Sequence, residues 1–167
     1  MTIEHQNLWE SIRAFPLDSP QASLTFSDRL ARENDWQLEF ALRVILEYKK
    51  FIFLISTTDH PLTPSDEVDQ AWHLHLLYTE SYWQDFMPLL PQPIQHGPTK
   101  GGQKERDKFN DWYELTKQKY QEVFHKTPPK DIWPSSAVRF GQIDFKRVNL
   151  DRNWVIPKPK FFSKWKF

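Results

Sequence analysis

Four of the six histidines in this 167-residue chain lie between residues 60 and 96, where they could ligate a metal ion. They are His60, His73, His75 and His96. Imidazole nitrogens and carboxylate oxygens suit zinc, copper, iron and nickel. Because the chain contains no cysteine, nitrogen and oxygen atoms must supply any metal ligands. These histidines, together with Asp69, therefore predict a transition-metal site.

The spacing of these residues on a helix limits how the site can be built. Asp69 and His73 are four residues apart and share one helical face, whereas His75 belongs to the opposite, more apolar face. Two arrangements follow. Either Asp69 and His73 face outward towards the loops that carry His60 and His96, or His75 points inward and meets a loop histidine.

Two interpretations without a metal compete with this site. In the first, Asp69 orients His73 as a general base. In the second, His75 is a core histidine, Asp69 and His73 form a solvated pair, and His60 and His96 are ordinary loop residues. The second interpretation makes the chain a non-enzymatic interaction module. The common nucleophile, zinc-protease and dinucleotide-binding motifs are absent, so no reaction can be assigned from the sequence.

The residues around the histidines predict a mostly α-helical fold. Apolar side chains recur at three- and four-residue spacing, and hydroxyl or acidic residues precede several of these segments as N-caps. Residues 51–55 are β-branched and aromatic, so a strand is the alternative there. The aromatic residues around His75 lie at helical spacing and are interpreted as core rather than as a ligand-stacking box: Trp72, Tyr78, Tyr82, Trp83 and Phe86. We predict about four helices, at 26–33, from the N-cap Asp35 to about 55, from 64 to about 87, and at 103–125.

The region after the fourth predicted helix has no clear period and predicts an irregular C-terminal extension. Residues 132–134 carry an anchoring aromatic, residues 138–140 and 143–145 alternate like short strands, and residues 155–157 cover the body in polyproline form. Three of the four glycines follow His96 closely, at Gly97, Gly101 and Gly102. This concentration predicts positive φ angles or a close backbone approach in that loop.

The formal net charge of zero hides an unequal distribution. Residues 146–167 hold seven Lys and Arg against one Asp, a net charge of +6, so residues 1–145 carry −6. We predict an N-terminal segment at 1–22, a helical domain at 23–145 and a basic aromatic extension at 146–167. Within the extension, residues 158–167 interleave lysines with aromatic rings. This pattern favours docking to a membrane surface or a protein partner over nucleic acid, and the alternative is a solvated tail or one that folds across the acidic body.

Composition restricts the class of protein further. Thirteen Phe, eight Trp and five Tyr supply the volume of a hydrophobic core. The chain contains no run of about 18 apolar residues, and its polar N-terminus is unlike a signal peptide. We therefore predict a cytoplasmic location, with peripheral membrane association through the basic extension as an addition to it.

The segment 63–83 resembles the signature of the glycine-rich domain-containing protein-like family. The matching residues read Pro-Ser-x-x-Val-Asp-x-x-Trp-His-x-His-Leu followed by Tyr, with the Asp-x-x-Trp-His-x-His core at 69–75. Residues 30–49, 96–102 and 131–134 are similar to the shorter, bacterial members. The resemblance implies no particular activity. It does imply a shared feature of the fold formed by Asp69, Trp72, His73, His75, Tyr82 and His96.

Overall fold

The computed structural model describes residues 2–97, 103–141, 148–149 and 151–156, and only the backbone of 103–106. Helices account for all of the regular structure in these ranges, which contain no β-strand, so the predicted mostly α fold is confirmed. The elements in chain order are α1 (Ile3–Ala14), α2 (Phe26–Asn34), α3 (Leu38–Ser56), α4 (Asp66–Leu77), a π-helical turn (Ser81–Phe86), a 3₁₀ turn (Met87–Leu89), α5 (Gln103–Phe124) and α6 (Ser136–Arg139).

Helix α3 forms the centre of the fold. Helices α1, α2, α4 and α5 all contact it. The four consecutive residues from Phe51 to Leu54 are buried, which requires neighbours on every side of the helix. The strand alternative for 51–55 is therefore wrong. Its β-branched and aromatic residues reflect burial all around a helix rather than strand pairing.

Helix α2 begins where the sequence predicts, but α3 does not. Thr25 caps α2 by accepting the Asp28 amide, and the Asp28 carboxylate accepts the Thr25 amide in return. Asp35 is the C-terminal cap of α2, with a left-handed φ of 55°, and is not the N-cap of α3. Aspartate tolerates this conformation better than most residues, and the chain reaches α3 through Gln37.

The third predicted helix, 64–87, is interrupted. Ser65 caps α4 by accepting the Val68 amide, and α4 ends at Leu77 because Tyr78 leaves helical geometry with φ −88° and ψ 65°. The chain then continues in the π-helical turn and the 3₁₀ turn. This interruption brings Tyr82, after the break, within hydrogen-bonding distance of Trp72, before it.

Helix α1 occupies a segment for which the sequence analysis predicts no helix. Its many polar residues obscure a short apolar stripe of Leu8, Trp9 and Ile12, of which Ile12 is fully buried. Lys49 of α3 donates hydrogen bonds from Nζ to the carbonyls of Arg13 (2.9 Å) and Phe15 (2.6 Å). A cation at the C-terminal end of a helix satisfies carbonyls that lack helical partners.

Replacing Lys49 with methionine is expected to lower the free energy of unfolding by about 2 kcal/mol, because two carbonyls lose a charged donor. Urea unfolding measures the loss, and hydrogen exchange should show faster opening of α1 than of α3. The matched control is Lys126→Met, at an exposed lysine. Equal stability losses in the two variants would contradict the capping role.

The segment after α5 is anchored to the helices as predicted, although its local structure differs. Trp133 is buried and donates from Nε1 to Glu47 Oε2 at 2.9 Å. Residues 138–140 do not form the predicted strand. Their amides donate to the carbonyls of Ser135 and Ser136, which satisfies the backbone locally where no partner strand is available among the described residues.

Other predictions concern the C-terminal extension and the glycines that follow His96. Residues 155–156 are exposed, as is Trp154, so in the described part they do not cover the body. Gly97 has no positive φ, and a Cβ there would meet nothing within 4 Å, so the predicted need for glycine does not hold at that position. Gly101, Gly102, residues 143–145 and residues 158–167 lie outside the described residues. None of the described helices is long and apolar enough to cross a bilayer.

Candidate metal centre

One face of α4 carries the first two residues of the centre. Asp69 and His73 are one helical turn apart, and the neighbouring face, with Val68, Ala71 and Trp72, is buried in the core. The Asp69 side chain is 20% exposed and the His73 side chain 51% exposed. The helix therefore presents a partly shielded carboxylate beside an imidazole that is open to solvent.

The third residue, His96, comes from the loop that follows the 3₁₀ turn. Its Nε2–H donates to Asp69 Oδ1 at 2.8 Å, and its side chain is only 17% exposed. The His96 ring meets the Trp72 indole edge to face, with 4.3 Å between the ring centroids. Its centroid is 4.5 Å from that of the His73 ring. His96 is thus wedged between an aromatic wall and the second histidine.

These three residues have the chemistry and the spacing of a metal-binding group. One ligand atom from each of Asp69, His73 and His96 lies within 4.8 Å of the others, and no second group of three His, Cys, Asp or Glu residues is found in the part of the chain that the structure describes. Each Asp69 oxygen lies near a different histidine. Oδ1 accepts from His96 Nε2, and Oδ2 lies 3.9 Å from His73 Nε2. Ligand atoms of a tetrahedral zinc site are about 3.3 Å apart. An ion would therefore require His73 to move closer to Asp69, and His96 Nε2 to lose its proton and move slightly away from Asp69 Oδ1.

His75 does not join this group. It is fully buried on the opposite side of α4, with Nδ1 2.8 Å from the Tyr48 hydroxyl and Nε2 3.2 Å from Ser81 Oγ. The rings of Phe15, Phe26, Tyr82 and Phe86 surround it. Burial, and secondarily the Lys49 ammonium, lowers the pKa of His75 to about 4. The inward arrangement is therefore present, but His75 meets a tyrosine instead of a loop histidine.

His60 also lies outside the group. It is exposed, and its Nδ1 is 3.2 Å from the Pro61 carbonyl. Of the five predicted site residues, the structure brings together Asp69, His73 and His96. Trp72 is buried in the core, as its helical spacing predicts, and the same indole also forms a wall of the site. Its position next to His73 and its place in the family signature were the signals for this role.

Comparisons with known proteins show that the chain is distantly similar to two plant proteins. Glycine-rich domain-containing protein 1 from Arabidopsis thaliana is 26% identical over 108 residues, which is 62% of this chain. Glycine-rich domain-containing protein 2 from the same plant is 22% identical over 107 residues, or 61% of the chain. The chain is distantly related to these proteins. It spans only 13% of the length of either relative.

The relationship supports a distant link to the family that the sequence resembles. The names of the two relatives describe composition and mention no ligand, substrate or reaction. No protein-family model matches the chain, and no solved structure matches it either. The chemistry of the centre must therefore be argued from its geometry.

Proposed function

We propose that this protein binds one divalent transition-metal ion through Asp69, His73 and His96. The observation that carries the proposal is the convergence of three ligand atoms within 4.8 Å, one of them from a loop residue 27 positions beyond Asp69. Two imidazoles and one carboxylate are a donor set that suits zinc, copper, iron or nickel. A solvated helix pair alone would explain Asp69 and His73, but not a third donor brought to the same point.

The number of protein ligands indicates what such a centre could do. Structural zinc sites have four protein ligands, whereas catalytic sites have three and leave a position for water or substrate. Here the exposed side of the group lies at His73, so solvent can reach the ion. The proposed ion would therefore be able to bind an additional oxygen or nitrogen ligand, which any reaction at this centre requires.

Two alternatives have less support. A metal-free general base at His73 needs to donate a hydrogen bond to the Asp69 carboxylate, which would orient the ring. The 3.9 Å separation is too long for that bond, and the carboxylate accepts from His96 instead. Docking to a membrane surface or protein partner through 158–167, with peripheral membrane association, remains a prediction because those residues lie outside the described structure. Binding to anionic vesicles that survives deletion of 158–167 would contradict that role.

Calorimetric titration of chelator-treated, tag-free protein with zinc, copper, iron(II) or nickel tests the metal proposal. We expect one ion per chain for at least one metal. Each proposed ligand is removed in turn, with Asp69→Asn, His73→Ala and His96→Ala. Each variant should lower the metal affinity by more than about 100-fold, which exceeds the usual loss when a residue that only orients a ligand is changed. Metal at about 100 times its dissociation constant should stabilise the wild type by about 2.7 kcal/mol.

The matched control is His60→Ala. His60 is close to the other histidines in the sequence, but in the structure it is exposed and lies outside the group of three ligands. This variant should bind the metal like the wild type. The proposal is contradicted if no metal binds near one equivalent, or if His60→Ala and His73→Ala weaken binding equally. Equal effects would mean that surface histidines bind the ion without a defined site.

A further inference from the structure

Tyr82 connects Trp72, the wall of the centre, to the loop carrying His96 through two hydrogen bonds. It lies in the π-helical turn and is fully buried. The Tyr82 hydroxyl accepts a hydrogen bond from Trp72 Nε1 at 3.0 Å and donates one to the Ile94 carbonyl at 2.8 Å. One hydroxyl therefore holds both the ring that His96 contacts and the backbone two residues before it.

The loop has few other means of holding its position. Between the 3₁₀ turn and Gly97 it has no regular structure, and only Leu90 and Ile94 are buried. The Ile94 amide donates to Met87 Sδ at 3.3 Å, which is a weak acceptor. In the described part of the loop, the Tyr82–Ile94 bond thus joins only two other well-formed attachments, the backbone bond from the Leu90 amide to the Met87 carbonyl and the His96–Asp69 bond.

The break at Tyr78 and the π-helical turn make this attachment possible. In a continuous α-helix, residues 72 and 82 would be separated by about 15 Å along the axis. The chain instead turns after Leu77, and the Met87 amide bonds to the Tyr82 carbonyl with the five-residue spacing of a π-helix. Such turns are rare and occur frequently at functional sites.

We infer that Tyr82 is a positioning residue for the metal ligand His96. Its hydroxyl fixes the Trp72 ring and the Ile94 backbone relative to each other, and this places His96 Nε2 over Asp69. The inference rests on the proposed metal function and adds a residue that is too far inside the core to ligate the ion itself.

Replacing Tyr82 with phenylalanine tests the inference, since it removes only the hydroxyl. We expect the metal affinity to fall by about 10- to 100-fold, as for other residues that orient ligands, with one ion still bound. The control is Tyr48→Phe, which removes another buried hydroxyl, the one bonded to His75. It should lower the melting temperature to a similar extent and leave the metal affinity unchanged.

A double-mutant cycle separates positioning from general loss of stability. If Tyr82 acts through His96, Tyr82→Phe should have no further effect on metal affinity in a His96→Ala background. Met87→Leu removes the acceptor of the Ile94 amide at similar side-chain volume, and it should also lower the metal affinity. This variant replaces Tyr82→Phe as the test of loop anchoring if Tyr82→Phe fails to fold. A folded Tyr82→Phe protein that binds the metal with wild-type affinity would overturn the positioning inference and leave the metal proposal standing.

Failure of the metal proposal gives a different result, namely no stoichiometric binding by the wild type. The inference is then tested in the metal-free protein by the NMR signals of the His96 ring, which the Trp72 indole shifts at 4.3 Å. Tyr82→Phe should move these signals towards values for a free histidine, whereas Tyr48→Phe should not. Unmoved His96 signals in Tyr82→Phe would overturn the positioning role.

Discussion

Replacing Glu47 with alanine is expected to lower the free energy of unfolding by about 3–5 kcal/mol, the usual cost of removing one partner from a buried ion pair. The Glu47 side chain is only 6% exposed. Its Oε1 accepts Lys50 Nζ at 2.7 Å and the Tyr120 hydroxyl at 3.2 Å, while Oε2 accepts Trp133 Nε1 at 2.9 Å. One carboxylate therefore joins α3, α5 and the segment after α5.

The loss should come from donors left without a partner inside the protein. Urea unfolding measures it, with Glu39→Ala as control, because Glu39 is an exposed glutamate on the same helix. Combining Glu47→Leu with Lys50→Met removes both charges and should cost less than the sum of the single changes. A loss in Glu47→Ala no larger than that in Glu39→Ala would show that the network does not hold the C-terminal segment.

Acidification is expected to destabilise the protein through His75. The pKa of His75 in the folded protein is about 4, below the ordinary value of 6.5, because burial disfavours the charged ring. The unfolded chain therefore takes up a proton at a higher pH than the folded chain. Stability is complete above pH 6.5 and decreases as the pH falls towards 4, by about 3 kcal/mol in total.

Urea unfolding between pH 7.5 and 4, with a chelator present, measures this dependence. His75→Gln cannot titrate, so it should lose this part of the acid sensitivity although it is less stable at pH 7.5. The control His60→Gln changes an exposed histidine and should keep the wild-type dependence on pH. If His75→Gln and the wild type lose the same stability on acidification, His75 is not the group responsible.

Local periodicity was sufficient for the fold class and for the faces of α4. Because α-helical geometry repeats every 3.6 residues, the sequence places Asp69 and His73 together and His75 opposite them, and the structure agrees. The burial of Trp133 follows similarly from a large aromatic residue in an otherwise irregular stretch. These features depend on neighbours in the chain, so a single sequence contains them.

The ends of the helices and the break after α4 were harder to predict from the sequence. Asp35 has the residue type of an N-cap, but it serves as a C-cap because its neighbours, not its own chemistry, determine which helix it ends. The break at Tyr78 has no proline or glycine to mark it. It is compensated by the Trp72–Tyr82 hydrogen bond and the burial of Tyr82, which are tertiary contacts.

Which histidines meet was decided by the tertiary structure alone. Imidazole chemistry left two arrangements open in the sequence, His60 and His96 beside Asp69 and His73, or His75 beside a loop histidine, since no local pattern specifies how a loop closes. The folded chain carries His96 across 27 residues to Asp69, leaves His60 at the surface, and gives His75 to Tyr48. The sequence thus determined the available donors and their helical faces, whereas the packing of the loop against Trp72 and Tyr82 selected the three that converge.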